Sequence, residues 1–432
     1  VCIGLGAYAY YGQAKKPVAA DTHQKVFSVE ADKINEVTID ASSGKRTTLK
    51  KVDGDWRETV PADAPADAAE ASGIVTGLAS LDIDRVIDEK PADLKPYGLD
   101  KPTMQIGFST ESGQKKQLVI GSKNATGVDM YAKLPDGPRV FLVPSYLEQT
   151  FDKTPFDLRD KALLTFDRDK LDELTIATPK QTLAFTKQGA GSWTMDKPLH
   201  AAADDLTLEN LVGRLQATQM KSIVADDATD LKKYGLDKPQ AQVTLAAGSA
   251  QTTLQIGAKA PDGNLYARDA AQPRIVTVEA SLLDDLDKAP NDFRQRDLFN
   301  FRSYNANDIS ITRNGKTVAY QLEPGSGKDA KNTWQEVSPK KAPVTDSNME
   351  DLLTQLSGLR AASFVPTTAH TGLDKPVVTI SVKYQANKNH ETVTFGQEGT
   401  DVYAARADQP GAAKLDASAF TSAMKALDAL QK

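Results

Sequence analysis

Three stretches decide how this chain is read: "LKPYGLDKP" at Leu94–Pro102, "LKKYGLDKP" at Leu231–Pro239 and "HTGLDKP" at His370–Pro376. Their glycines, Gly98, Gly235 and Gly372, lie 137 residues apart and then 137 apart again. Repeats at a fixed period are the first thing to seek in a sequence, and this offset aligns much more than the motif. The tryptophans Trp56, Trp193 and Trp334 are spaced by 137 and 141 residues, the four extra falling in the loop Pro324–Asn332. Tyr131, Tyr266 and Tyr403 open "YAK", "YAR" and "YAA"; before them stand "VIGSK", "QIGAK" and "TFGQE", with Gly121, Gly257 and Gly396. The unit starts match too, at Phe27, Phe166 and Phe301.

One unit of about 137 residues therefore occurs three times. A unit of that size can bury its own core, so these are tandem domains rather than short solenoid repeats that are stable only when stacked. The expected division is an anchor and linker over 1–25, then units over 26–162, 163–297 and 298–432.

Within each unit the pattern predicts an α+β fold, an antiparallel-rich sheet of six or seven strands with two helices. Ile34, Val37 and Ile39 recur near period two, and a Gly-containing turn before each tryptophan reads as a hairpin. The tryptophans are expected as core anchors. A helix follows, with Leu208, Leu211, Val212 and Leu215 on one face. Its counterparts are Met349, Leu352, Leu353 and Leu356, and more weakly Ile74, Val75 and Leu78. Asp67, Asp204 and Thr345 are expected N-caps, and Glu70 has capping-box spacing. The opening motif then reads as a helix stop and strand start. Gly98, Gly235 and Gly372 supply a left-handed C-cap. Leu99, Leu236 and Leu373 pack back, and Pro102, Pro239 and Pro376 forbid helix continuation. Alternating Met104/Ile106/Phe108, Ala241/Val243/Leu245 and Val378/Ile380/Val382 begin the next strand. A terminal helix closes each unit.

The joins between units carry no Gly/Ser linker. Arg159-Asp160 and Arg296-Asp297 recur there, and two readings stay open: a surface salt bridge worth little, or a repeated clamp between units.

The composition bounds the function. The net charge is −6 with 25% charged and 40% hydrophobic residues, and no basic stripe points to nucleic acid. Cys2 is the one cysteine, which excludes an internal disulfide and a thiolate metal site. His23, His200, His370 and His390 show no metal-ligand spacing. No nucleophile elbow, phosphate loop or dinucleotide fingerprint is present. No catalytic, cofactor-binding or metal residue is therefore assigned, and the chain is not expected to be an enzyme. The N-terminal "VCIGLGAYAYYGQAKKP" reads as the outer part of a membrane helix, with Tyr8, Tyr10 and Tyr11 at headgroup level and Gly4, Gly6 and Ala7 available for helix packing. A trimmed signal peptide and a lipidated Cys2 are the other two readings. All three place the body outside the cytoplasm.

The N-terminal stretch, the "YGLDKP" turn, the tryptophan after a hairpin, the "IG" strand end and the "YA" strand, all repeated, resemble the uncharacterised bacterial family catalogued as domain of unknown function 4340. The third copy departs, with Thr371 where the others have Tyr97 and Tyr234. The resemblance implies membrane-anchored extracytoplasmic proteins associated with ABC-type transporters of the gliding-motility auxiliary kind, with permease and auxiliary subunits as partners and no assigned catalytic residues. It leads to the expectation of a non-catalytic accessory subunit held in the inner membrane, its body a semi-rigid arm in the periplasm. The alternatives are a stand-alone binder of envelope polysaccharide, peptide or lipid, a structural spacer, or a hydrolase with a site in a cleft between units.

Overall fold

Short Gly turns and alternating β-branched residues build three nine-stranded sheets of one topology in the computed structural model, which describes residues 24–187, 191–325 and 331–431. The N-terminal apolar stretch with Cys2, and His23, lie outside the described residues. Across the first sheet the strands run in the order Ala64–Pro65, Asp55–Val60, Arg46–Val52, Ile34–Asp40, Met104–Thr110, Lys115–Lys123, Asp129–Lys133, Val140–Pro144 and Arg85–Asp88. Every neighbouring pair is antiparallel. Two meanders thus meet at the central pair Ile34–Asp40 and Met104–Thr110. The second sheet repeats this order around Glu173–Ala177 and Ala241–Ala247, and the third around Ala306–Arg313 and Val378–Tyr384.

Nine strands replace the six or seven expected. The additions include the edge strands, such as Ala64–Pro65 and Arg85–Asp88, which are too short to show a period-two pattern. The chain divides into two compact units, Val1–Lys161 with the first sheet and Ala162–Lys432 with the second and third. Among the described residues no helix is long and apolar enough to cross a membrane.

In each repeat a helix carries the chain from one sheet edge to the other: Ala68–Ser80, Asp205–Gln216 and Asp346–Ser357. The apolar stripe expected in each is buried: Ile74, Val75 and Leu78; Leu208, Leu211, Val212 and Leu215; Met349, Leu352, Leu353 and Leu356. Full burial of one such side chain is worth about 1.5–3 kcal/mol, so this face is what holds helix to sheet. Asp67 caps the N–H groups of Ala69 and Glu70, and Asp204 caps that of Thr207. Thr345 occupies the cap position without a side-chain bond. Glu70 does not complete a capping box; its carboxylate pairs with Lys153 Nζ at 2.8 Å.

The single terminal helix appears only in the third repeat, as Ala417–Leu430. In the first it is split into Leu147–Phe151 and Pro155–Leu158, and in the second into Ser281–Leu286 and a 3₁₀ turn at Pro290–Phe293. Pro155 and Pro290 lack the N–H that would continue the helix. Pro155 therefore opens a new turn, capped by Thr154.

Candidate functional site

The repeated motif is a turn laid against the second meander of its own sheet, in the first repeat at Lys115–Lys123 and Asp129–Lys133. Gly98 and Gly235 take φ of 65° and 66° and end 3₁₀ turns at Lys95–Tyr97 and Lys232–Tyr234. Two backbone bonds close each end: Gly98 N–H to Lys95 O at 3.0 Å and Leu99 N–H to Leu94 O at 3.2 Å, then Gly235 N–H to Lys232 O at 3.1 Å and Leu236 N–H to Leu231 O at 3.0 Å. This is the Schellman pairing of a left-handed C-cap. Gly372 has φ 69° but no helical turn precedes it.

The second glycine of each repeat explains why the first must sit there. A Cβ on Gly121 or Gly257 would run into the carbonyl oxygen of Tyr97 or Tyr234, and one on Gly396 into that of Thr371. The turn and the strand meet backbone to backbone, which only glycine permits. Beyond Pro102 and Pro239, Thr103 N–H and Gln240 N–H join the neighbouring strand at Ile120 O and Ile256 O (2.9 and 2.8 Å), and Val377 N–H does the same after Pro376 at Phe395 O (2.8 Å).

Leu236 and Tyr234 are buried with Ile275, while Tyr266 packs against them. Tyr97 meets Tyr131, and Tyr234 meets Tyr266, edge to face at 5.1 Å, contacts worth about 0.5–1.5 kcal/mol each beyond area. The repeated "YA" tyrosine is thus the motif tyrosine's partner. In the third repeat Thr371 is buried and bonds Thr368 O instead, and Leu373 is only half-buried. The Asp-Lys pairs, Asp100/Lys101, Asp237/Lys238 and Asp374/Lys375, all point to solvent.

The tryptophans are anchors. Trp193 and Trp334 are buried, and Trp56 is half-buried against the first core. Trp193 N–H donates to Asp205 Oδ1 at 2.7 Å, and Trp334 N–H to Asp346 Oδ1 at 3.1 Å. The Trp193 indole donates to Glu209 Oε1 at 3.0 Å. Lys187 and Arg168 reach the same carboxylate, each at 2.9 Å. The indole bond first, then these two cations, hold the Glu209 carboxyl down at about 2 against the pull of burial.

The arginines at the joins require a shift of two residues from the expected alignment. Arg159 bridges Ala66 just before its helix, and the residue in the same place in the second repeat is Arg294, which bridges Ala203. Leu158 O and Phe293 O accept from the helix caps Asp67 and Asp204, each at 2.8 Å. Asp160 N–H donates to Pro65 O and Gln295 N–H to Ala202 O, both at 3.0 Å. The "RQRD" sequence holds two arginines, and the 137-residue period aligns Arg296 rather than Arg294 with Arg159. Arg159 is no surface group: its Nε and Nη2 grip Glu58 at 2.9 and 3.1 Å, the side chains 7% and 0% exposed. Arg296 is exposed, and its carbonyl accepts from Ala361 N–H at 2.7 Å. Asp297 pairs with Arg360 at 2.8 Å.

Arg294 is the group the sequence reading missed. It is 4% exposed. Met195 stands where the first repeat has Glu58, two residues after the tryptophan. Arg294 instead extends toward the third sheet, its guanidinium 3.8 Å from the centre of the Phe364 ring and Nη2 donating to Pro410 O at 3.1 Å. Its Nε has no partner among the described residues. Burial pulls its pKa below the usual range.

Among the described residues, no cluster of three or more His, Cys, Asp or Glu is placed to hold a metal ion. Residues 56–192 and again 193–376 match the model of a family described as "Domain of unknown function (DUF4340)". The chain belongs to this family. Each DUF4340 segment opens on a tryptophan strand, Trp56 or Trp193, so the family unit is phased one hairpin into the sheet and ends in the next repeat. No curated protein matches the chain. Among solved structures it is similar to a DNA polymerase sliding clamp from Pseudomonas aeruginosa, at 9% identity over 92% of this chain and 94% of that one. The TM-score of 0.16 is too low to carry any argument.

Proposed function

We propose that this DUF4340 protein is a non-catalytic, membrane-anchored extracytoplasmic accessory subunit of an ABC-type transporter, acting as a semi-rigid arm in the bacterial periplasm. The observation that carries this reading is the bonded join between the second and third sheets. Ala361 N–H donates to Arg296 O at 2.7 Å and Arg294 Nη2 to Pro410 O at 3.1 Å, while Gln409 Oε1 accepts from Ala202 N–H at 3.1 Å. Hydrogen bonds across a linker-free join oppose bending, which an arm requires. The family resemblance and the apolar N-terminal stretch, which lies outside the described residues, support the anchor and the transporter partner.

The test is co-purification. The chain with its natural N-terminus, tagged at the C-terminus, is expressed at natural level in its own host and isolated from gently solubilised membranes. Stoichiometric recovery of an ABC permease and ATPase in mass spectrometry supports the proposal; recovery of the protein alone refutes it.

The stand-alone envelope binder is favoured by a different observation. The open face of each sheet carries paired hydroxyls and amides: Thr38 with Thr48 and Gln105 with Gln117, Thr244 with Thr253 and Gln242 with Gln255, and Ser381 with Thr392. Such rows suit a sugar polymer, and recovery with wall material in the same experiment selects this reading.

A further inference from the structure

We propose that Arg294 binds a small monovalent anion, of the chloride or formate class, at the junction of the second and third sheets. The first repeat shows what an arginine in this place takes: Arg159, set by the same backbone bridge, holds the Glu58 carboxylate through two nitrogens. The second repeat keeps the arginine and replaces the carboxylate with Met195, itself fully buried. A buried guanidinium without a counter-charge is costly, and the ring of Phe364 and one carbonyl neutralise no charge.

The neighbouring charges do not supply the missing anion. Arg406 is held by both oxygens of Asp408, at 2.9 and 2.7 Å, and lies 3.7 Å from the buried Glu391, whose oxygens accept from Asn300 and Phe301 N–H; Asp297 pairs with Arg360 at 2.8 Å. Arg294 is the arginine of this cluster that no carboxylate pairs with among the described residues. Beside it lies a cavity of about 30 Å³, bounded also by Arg406, Gln409, Gly411 and Asp297, whose carboxylate is taken up by Arg360. One water needs roughly 10–15 Å³ of such space, so the cavity admits an ion of a few atoms and excludes a sugar acid. The proposal is independent of the transporter reading, since it concerns only how two sheets are held together.

The experiment follows thermal unfolding of the full chain at constant ionic strength while sodium gluconate is replaced by chloride, bromide or formate. Three proteins are compared: wild type, Arg294→Met, and Met195→Glu, which returns the carboxylate of the first repeat. Binding to the folded form raises the wild-type midpoint by a few degrees once the anion is well above its Kd. The rise is expected to vanish in Met195→Glu and Arg294→Met. A bromide-soaked wild-type crystal is expected to show an anomalous peak within hydrogen-bond reach of the guanidinium. Superimposed wild-type curves in gluconate and chloride overturn the proposal, as does the same anion shift in the variants. Should both variants fail to fold, the wild-type titration and the bromide map still decide; water alone at the guanidinium refutes it.

Discussion

The buried pair Arg159–Glu58 offers the sharpest test of how the first repeat is held. The perturbation is Glu58→Met, the residue the second repeat carries at Met195. Two unit charges about 4 Å apart attract by about 4 kcal/mol at an effective dielectric of 20. Taking both ions out of water offsets most of that, so the intact pair adds little net stability. Removing one partner is different. Arg159 stays 7% exposed in its side chain, loses both bonds at 2.9 and 3.1 Å, and pays desolvation with nothing in return, a loss of about 3–5 kcal/mol. The assay is amide hydrogen exchange over Asp55–Val60 in the full chain, where exchange reports the opening free energy of that strand. Glu58→Met is expected to speed it by about 140- to 3,700-fold, at about 1.4 kcal/mol per decade. The double variant Glu58→Met/Arg159→Leu is expected to recover most of the loss. A single variant that speeds exchange less than about tenfold, or a double variant as labile as the single, refutes the reasoning.

Gly257→Ala, which drives a methyl into the Tyr234 carbonyl, is expected to cost about 2–3 kcal/mol in urea unfolding. Gly73→Ala, in a helix with open space at its Cβ, is expected to gain about 0.5–1 kcal/mol in the same assay. Glu209 is depressed to about 2 when folded, from an ordinary 4.5, so its stabilisation is complete above pH 4.5 and fades as pH falls through 2. With its side chain 31% exposed, screening reduces the effect to about 1–2 kcal/mol; Glu209→Gln is expected to remove this part of the acid sensitivity, read as urea midpoints from pH 6 to pH 2.5. Asp204→Ala is expected to cost about 1 kcal/mol, and Thr345→Ala much less, because only Asp204 makes its cap bond; thermal unfolding separates the two.

The architecture was readable where a residue type is forced by backbone geometry or by a long apolar period. Gly98 and Gly235 announce left-handed turns, Trp193 and Trp334 announce buried anchors, and Leu208–Leu215 announces the helix face. Edge strands of two to five residues leave no such period, so nine strands stand where the pattern predicts six or seven. The terminal helix was overread because Leu147, Phe151 and Leu158 keep a helical phase across Pro155. The join was misaligned because Arg294 and Arg296 look alike in sequence; backbone pairing to Ala203 distinguishes them. The Glu58-to-Met195 exchange was visible at fixed distance from each tryptophan, but its meaning depends on where the arginine lies in space.

Whether the repeated turn is architecture or a site used three times is the question on which the account rests. The most direct measurement uses one variant with the charged pairs removed from all three turns: Asp100→Asn, Lys101→Gln, Asp237→Asn, Lys238→Gln, Asp374→Asn and Lys375→Gln. These side chains face solvent, so the variant is predicted to unfold at the wild-type temperature and to co-purify with the same proteins as wild type in the same yield. A variant that folds as wild type and loses a protein that wild type recovers would make the turns a binding site, contradicting the structural reading.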